Sequence, residues 1–150
     1  MIFYYLRKKG KYGPNYNVRF TTTDCCFKTK LDDIFFKMVA AKDQKSNLNV
    51  KVTDPVACYI RGSRLIASVK WDLVDFVLFL VNLKENHHWI LIVFDIPQRS
   101  LNVYGSYSNW RKDFEMNNIA KMFAIMLPLY LDITNMTSDL IYLALLPTTT

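Results

Sequence analysis

Two adjacent histidines and three cysteines are the residues of this chain that could carry nucleophilic chemistry. They are His87, His88, Cys25, Cys26 and Cys58. A thiol becomes a nucleophile when an imidazole takes its proton, and a cysteine that precedes its histidine gives the papain order. The vicinal cysteines also begin a helical pattern, where the helix dipole favours a thiolate. We favour the alternative that both are ordinary residues of a first helical turn, one of them buried.

The same residues do not favour a metal site or a disulfide. No Cys-x-x-Cys spacing occurs, and adjacent histidines in a strand point to opposite faces. We therefore expect no zinc and no other cofactor. An odd number of cysteines, two of them adjacent, indicates reduced thiols. Reduced thiols are typical of an intracellular protein, in the nucleus or the cytoplasm.

The composition indicates one folded domain. The chain has 150 residues, of which 51% are hydrophobic and 21% are charged, with only four glycines and five prolines. These values exclude a disordered tail and a low-complexity linker. The longest apolar stretch, residues 119–131, contains Lys121 and Pro128 and is shorter than the roughly 20 residues of a membrane span. We therefore expect no membrane association.

The net charge of +6 comes mostly from one short segment. Residues 1–19 hold five basic side chains and no acidic one. A nucleic-acid-binding protein usually presents a basic stripe across its folded surface. Nucleic acid is therefore not the expected partner, and a contact through residues 7–19 is the weaker hypothesis.

Helical periodicity is clearest over residues 24–41, where apolar side chains recur every three or four positions. Thr23 or Asp24 is expected to cap this helix. A second helix is predicted over residues 111–127 and is expected to end before Pro128. The apolar residues on one side of the second helix are expected to pack in the core; they are Ile119, Met122, Phe123 and Met126.

Strand patterns begin after residue 72. Residues 73–83 and 89–94 are dense in Val, Leu, Ile and Phe, which is typical of strands buried on both faces. Residues 101–104 alternate, as a strand with one solvated face does. The polar segments expected as connectors are 8–17 and 42–55.

A β-hairpin would place His88 at the end of a strand pair. If residues 88–95 and 100–105 pair about a turn, the expected register sets His88 opposite Gly105. Opposed residues have Cβ atoms about 4.5–5.5 Å apart. Position 105 is therefore where a carboxylate would orient the imidazole ring, and the sequence has glycine there.

Other polar side chains near this hairpin could interact with the ring. Ser106 or Asn109 could offer a weak hydrogen bond in place of the carboxylate. Asp95 is expected to shape the turn, and Asn102 is expected to point to the opposite face from His88. The neighbouring histidine is expected to be a solvated loop residue.

The pair His88-Trp89, followed by Val103-Tyr104-Gly105-Ser106, carries a family resemblance. The block 71–106 resembles the ubiquitin-like-protease family, the SUMO-deconjugating cysteine peptidases, and in particular its plant-type members. The family pattern opens a strand with His-Trp, continues through a turn that contains Asp, and ends the next strand with Val-Tyr-Asp-Ser. The segments 71–75 and 77–82 resemble the strand that precedes His-Trp in that family.

The resemblance implies roles for three positions. His88 corresponds to the catalytic general base, and Trp89 to the tryptophan that walls the tunnel for the Gly-Gly tail of the modifier. Gly105 stands at the position of the orienting aspartate. The family's nucleophile lies in a later Gln…Asp-Cys-Gly segment, and residues 106–150 contain no such segment.

The resemblance also implies an α+β fold with a papain-like cysteine-peptidase core, in which N-terminal helices precede a mixed sheet packed by helices. Residues 1–150 would form a single partial catalytic domain, with a helical part over 1–55 and the sheet and further helices over 56–150.

The implied activity is that of a cysteine-type peptidase, a hydrolase that cleaves after the C-terminal Gly-Gly of its partner, SUMO or another ubiquitin-like modifier. Without the nucleophile and the aspartate, we expect a degenerate or truncated, inactive form, a pseudoenzyme or a fragment. The alternative is a non-catalytic protein-interaction module that keeps part of a modifier-binding surface around Trp89 and Trp71.

Overall fold

A computed structural model describes residues 1–14, 17–41, 50–85, 87–106 and 113–136, and the backbone of 142–144. The helices of these segments are α1 (Ile2–Tyr12), α2 (Cys26–Ala40), α3 (Pro55–Ile60) and α4 (Phe114–Ile133), with a 3₁₀ turn at Trp71–Leu73. The strands are β1 (Phe20–Thr22), β2 (Phe76–Leu83), β3 (His88–Asp95), β4 (Ser100–Gly105) and β5 (Tyr142–Ala144). The α+β class predicted from the sequence is confirmed.

The strands of the described segments form one mixed sheet in chain order, from β1 to β5. β2, β3 and β4 are an antiparallel meander, whereas β1 runs parallel to β2 and β5 runs parallel to β4. β1 has only three residues, and its pairing with β2 joins positions 56 residues apart, such as Phe20 and Phe76. This strand was not predicted from the sequence.

One face of the sheet is fully covered by helices. β2, β3 and β4 bury alternate side chains, and on the covered face the rings of Phe27 and Phe123 lie 4.9 and 5.1 Å from the ring of Phe79. The expectation that β2 and β3 are buried on both faces is wrong. Their apolar runs include a second, half-buried face, where Leu80 and Leu91 pair across the strands.

Trp71 belongs to the core beneath the covered face. It is 1% exposed, and its ring contacts those of Phe27, Phe79 and Phe94. The expectation that Trp71 contributes to a binding surface is therefore wrong, because a partner cannot reach it in this fold.

The ends of the two long helices differ from those predicted. α2 begins at Cys26, and the preceding Cys25 already has helical backbone angles. The Asp24 carboxylate accepts the backbone N–H of Cys26 at 3.0 Å, which is the bond that an N-cap side chain makes, as expected for Asp24. α4 continues through Pro128 to Ile133, so the expected end before the proline is wrong. The fully buried residues beyond it, such as Tyr130 and Leu131, stabilise the last turns enough to offset the backbone hydrogen bond that proline cannot donate.

α1 includes residues 8–12, which the sequence analysis expected to belong to a connector. Its buried residue is Arg7, which donates from Nε to the Ile66 carbonyl at 3.2 Å and from Nη1 to Thr22 Oγ1 at 3.1 Å. Burial lowers the pKa of the Arg7 guanidinium. These bonds fasten α1 to the β1 edge of the sheet.

α3 begins at Pro55, the last residue of the segment 42–55 that was predicted as a loop. Residues 42–49 of that segment lie outside the described part of the chain. Asp54 caps this helix by accepting the Ala57 N–H at 3.0 Å, and Pro55 occupies the first helical position, where no N–H is needed. The other oxygen of Asp54 accepts a hydrogen bond from the Tyr130 hydroxyl at 3.1 Å, which joins α3 to α4.

No helix of the described segments is long and apolar enough to cross a bilayer.

Candidate active site

The turn between β2 and β3 is held by the first turn of α4. The two carboxylate oxygens of Glu115 accept the backbone N–H groups of Lys84 and Glu85 at 2.9 and 3.0 Å. α4 is itself capped by Asp113, whose side chain accepts the Met116 N–H at 2.9 Å. α4 therefore fixes the turn that leads into β3. Glu115 was not predicted as a site residue, because its role depends on a contact between α4 and a turn 30 residues earlier in the chain.

His87 is a turn residue. Its backbone φ is 49°, in the left-handed region, where histidine is among the more frequent non-glycine residues. Its side chain is exposed. The expectation of a solvated loop residue is confirmed.

His88 is the first residue of β3 and lies on the helix-covered face of the sheet. It pairs with the buried Leu83 of β2 and is itself half-buried. Its Nε2 atom lies 2.9 Å from Oγ of Ser106, the residue that follows the last residue of β4. The fold thus brings a hydroxyl group to the ring of the expected general base.

Gly105 does not face His88, so the register expected from the sequence is wrong. Gly105 pairs with Ile90, two residues further along β3. A shift of two residues keeps every side chain on its face, and position 105 therefore remains on the face of His88. The two positions are diagonal neighbours, at a separation of about 7–8 Å that a side chain can bridge.

The other polar residues of the hairpin lie away from the ring. Asp95 accepts the Gln98 N–H at 2.9 Å and so shapes the turn at the far end of β3, as expected. Asn102 pairs with Val93 and lies on the face opposite His88, which confirms that prediction. Asn109 lies outside the described residues.

Trp89 projects from the half-buried face of β3 and is 48% exposed. Tyr104, which pairs with Leu91 from β4, is 39% exposed on the same face. With Leu80 they line a shallow depression of about 380 Å³ that extends to Ser106. An extended peptide could lie in this apolar depression and end beside the hydroxyl that contacts His88.

The fold does not bring Cys25 and Cys26 to His88. The residue after them, Phe27, packs on Phe79, which pairs with Ile92. Ile92 is four residues along β3 from His88, which is about 13 Å at strand spacing.

The Cys26 thiol is also not activated in a way that would suit a nucleophile. Asp24 raises the pKa of the Cys26 thiol, whereas a catalytic thiol needs a lowered pKa. Cys25 and Cys26 are both exposed, so the expectation that one is buried is wrong. Cys58 Sγ lies 3.6 Å from the Val52 carbonyl.

Among the described residues, no three His, Cys, Asp or Glu side chains are grouped to hold a metal ion.

A larger cleft of about 650 Å³ lies between α2 and α4, and its lining includes Phe36 and Phe114. His88 and Trp89 do not line it.

The α4 residues expected in the core are indeed buried, which confirms that prediction; they are Ile119, Met122, Phe123 and Met126.

Comparison with known proteins places this site in context. The sequence profile described as "Ulp1 protease family, C-terminal catalytic domain" matches residues 8–140. One similar solved structure is the SUMO protease Ulp1 with its catalytic cysteine oxidised to a sulfonic acid, at a TM-score of 0.55 and 18% identity over 99% of this chain and 56% of that one. Another is the SUMO protease Ulp1 with the cysteine oxidised to a sulfinic acid, at a TM-score of 0.52 and 17% identity over 98% of this chain and 56% of that one.

At these identities the similarity shows a shared fold. The chain spans little more than half the length of those two chains. No curated protein matches it in sequence.

Proposed function

The chain belongs to the Ulp1 protease family, and we propose that it is the histidine-bearing part of a cysteine peptidase specific for SUMO or another ubiquitin-like modifier. The observation that carries the proposal is the arrangement at the start of β3. On the helix-covered face of the sheet, the His88 ring lies within hydrogen-bond distance of the Ser106 hydroxyl. On the opposite face, Trp89 is exposed beside a depression that reaches the same serine. These two residues match the His-Trp pair of the family pattern.

In the proposed reaction His88 is the general base. Its imidazole takes the proton of a cysteine thiol, and the thiolate attacks the carbonyl carbon of the modifier's last glycine. The C–N bond breaks as the imidazolium returns the proton to the leaving amine, and water then hydrolyses the thioester and restores the thiol. Trp89 would line the path of the Gly-Gly tail, which can pass a narrow aromatic wall because glycine has no side chain.

We propose that the chain with the present sequence does not complete this reaction. It has no cysteine after Cys58, and the fold does not bring Cys25 and Cys26 to His88. Gly105 also leaves the ring without a carboxylate partner at that position. In a serine protease, loss of the proper hydrogen bond from this third group lowers kcat by about 10⁴.

A second candidate function is modifier binding without turnover. The exposure of Trp89 and Tyr104 favours it, because a large aromatic surface beside an apolar depression is suited to an extended peptide. This candidate requires no cysteine and no carboxylate.

A binding titration with two forms of SUMO tests the proposal. The chain is titrated with SUMO that ends in Gly-Gly and with SUMO that lacks these two residues, with tryptophan fluorescence as the signal and calorimetry as confirmation. We expect saturable binding of the first form only, and its loss in Trp89→Ala. Phe36→Ala is the matched control, because Phe36 is also exposed but lies in the α2–α4 cleft.

A turnover assay with a fluorogenic SUMO substrate tests whether the chain is catalytically active. Binding without turnover supports the inactive form of the peptidase site and the binding module alike. Turnover that is lost in His88→Ala would show an active enzyme and overturn our proposal that this chain is inactive. Equal binding of both SUMO forms would overturn the assignment of Trp89 to the Gly-Gly tail.

A further inference from the structure

A general base must be held in one orientation, and the imidazole of His88 can rotate about two side-chain bonds. A third group that binds the ring nitrogen on the far side restricts this rotation and sets which nitrogen carries the proton. Gly105 has no side chain to supply such a group. The next residue, Ser106, places its Oγ 2.9 Å from His88 Nε2, which is an ordinary hydrogen-bond distance.

From this geometry we propose that Ser106 is the positioning residue of His88, in place of the carboxylate that Gly105 does not supply. The inference rests on the proposed role of His88 as the general base. Ser106 follows directly on Gly105, which is buried and paired with Ile90. The backbone next to the serine is therefore fixed by the sheet, and a single side-chain rotation sets the position of the hydroxyl.

The chemistry of a hydroxyl suits this role in both protonation states of the ring. A serine oxygen can accept a hydrogen bond from Nε2–H in the neutral ring, which leaves the lone pair on Nδ1. It accepts the same bond when Nδ1 has taken a proton. The ring can therefore gain and lose a proton at Nδ1 without a change of partner at Nε2.

A hydroxyl also differs from a carboxylate in two ways. It carries no negative charge, so it orients the ring without the electrostatic stabilisation that a carboxylate gives to an imidazolium. It can also donate a hydrogen bond to Nε2, which would place the ring proton on Nδ1. Ser106 thus supplies the positioning part of the missing aspartate's role and not the charge.

Carbethoxylation by diethyl pyrocarbonate tests this inference without any need for catalysis. The reagent modifies unprotonated ring nitrogens, and fragmentation mass spectrometry distinguishes His88 from His87, which serves as the internal reference. We expect Ser106→Ala to raise the rate at His88 by about fivefold, the population change that one net neutral hydrogen bond carries. The rate at His87 should not change, and Ser106→Thr should restore the slow rate.

Two further readouts separate positioning from a general loosening of the loop. Nitrogen-15 NMR of His88 should show a change in the ratio of the two neutral tautomers in Ser106→Ala and its return in Ser106→Thr. Gly105→Asp in the Ser106→Ala background should also restore protection of His88.

An unchanged rate and tautomer ratio in Ser106→Ala would overturn the proposal, as would an equal rise at His87 and His88. If His88 responds as expected but SUMO does not bind, the proposed function fails and the contact between Ser106 and His88 stands.

Discussion

Gly105 lies opposite Ile90 in the ladder of β3 and β4, on the helix-covered face of the sheet that His88 also occupies. Position 105 therefore supplies no carboxylate because its residue is glycine and not because the strand is displaced. A longer side chain at position 105 would project from the same face as the imidazole ring.

This relationship predicts that Gly105→Asp interacts with His88. A carboxylate at a buried position is destabilising unless a partner binds it, and the imidazole is the diagonal neighbour. A double-mutant cycle of Gly105→Asp with His88→Ala, measured by urea denaturation, should give a favourable coupling of about 1–2 kcal/mol. A coupling of zero would mean that the two side chains do not meet.

Glu115 is expected to hold the turn that precedes β3. Glu115→Ala removes both acceptors of the Lys84 and Glu85 N–H groups, so these two amides should exchange with solvent about tenfold faster in native-state hydrogen exchange. The expected loss in the free energy of unfolding is about 1 kcal/mol, because the bonds are exposed.

Glu115→Gln is the matched control for this prediction. It keeps one acceptor oxygen, and the exchange rates should fall between those of the wild type and Glu115→Ala. Unchanged exchange at both amides in Glu115→Ala would show that α4 does not hold the turn.

Asp24→Asn should make Cys26 more reactive. Asp24 raises the pKa of the Cys26 thiol, so removal of this charge lowers that pKa and increases the thiolate fraction at pH 7.5. Alkylation of Cys26 by iodoacetamide should accelerate by up to about fivefold, since an exposed charge pair contributes about 0.2–1 kcal/mol. Asparagine keeps the acceptor for the Cys26 N–H, and Cys58 is the internal control. An unchanged rate at Cys26 would contradict the electrostatic explanation.

Acid is expected to weaken the contact between Arg19 and Asp75. The Asp75 carboxylate accepts the backbone N–H of Arg19 at 3.2 Å and its Nη2–H at 2.9 Å, and these bonds lower the pKa of Asp75. A carboxyl group with a lowered pKa in the folded state stabilises the fold above its unfolded pKa of about 4, and this contribution is lost as the pH falls through the folded value.

Urea denaturation of the wild type and of Asp75→Asn at pH 6 and below pH 3 measures this contribution. The difference in unfolding free energy between the two proteins should be small at pH 6 and should disappear in acid. The same pH dependence in both proteins would rule out a role for Asp75 in the acid sensitivity of the fold.

The hairpin could be predicted from the sequence because its signals are local. Dense apolar runs and a proline-containing turn mark β3 and β4, and the alternation of residues 101–104 fixes which of their side chains face the core. The register could not be read in the same way. The turn spans the four residues between Asp95 and Ser100, with Arg99 at a φ of 53°, and arginine gives no sequence signal for a left-handed conformation.

The missed elements depend on contacts between distant parts of the chain. β1 is a strand because Phe20–Thr22 lies beside β2, and α4 passes Pro128 because buried residues beyond it pack in the core. The contact between His88 and Ser106 was one of two alternatives from the sequence, and the structure shows it because Ser106 directly follows the end of β4; the other alternative, Asn109, lies outside the described residues. The plant-type assignment within the family stays a prediction.

The reaction of this chain with a SUMO C-terminal electrophile is the most direct test of whether His88 has a nucleophile here. The wild type and Gly105→Asp are incubated with the probe, circular dichroism verifies that both are folded, and mass spectrometry locates any adduct. We expect no adduct in either protein, because Cys25 and Cys26 lie away from His88 and Cys58 Sγ contacts the Val52 carbonyl. An adduct on Cys25, Cys26 or Cys58 would contradict this conclusion and would support catalysis in the papain order.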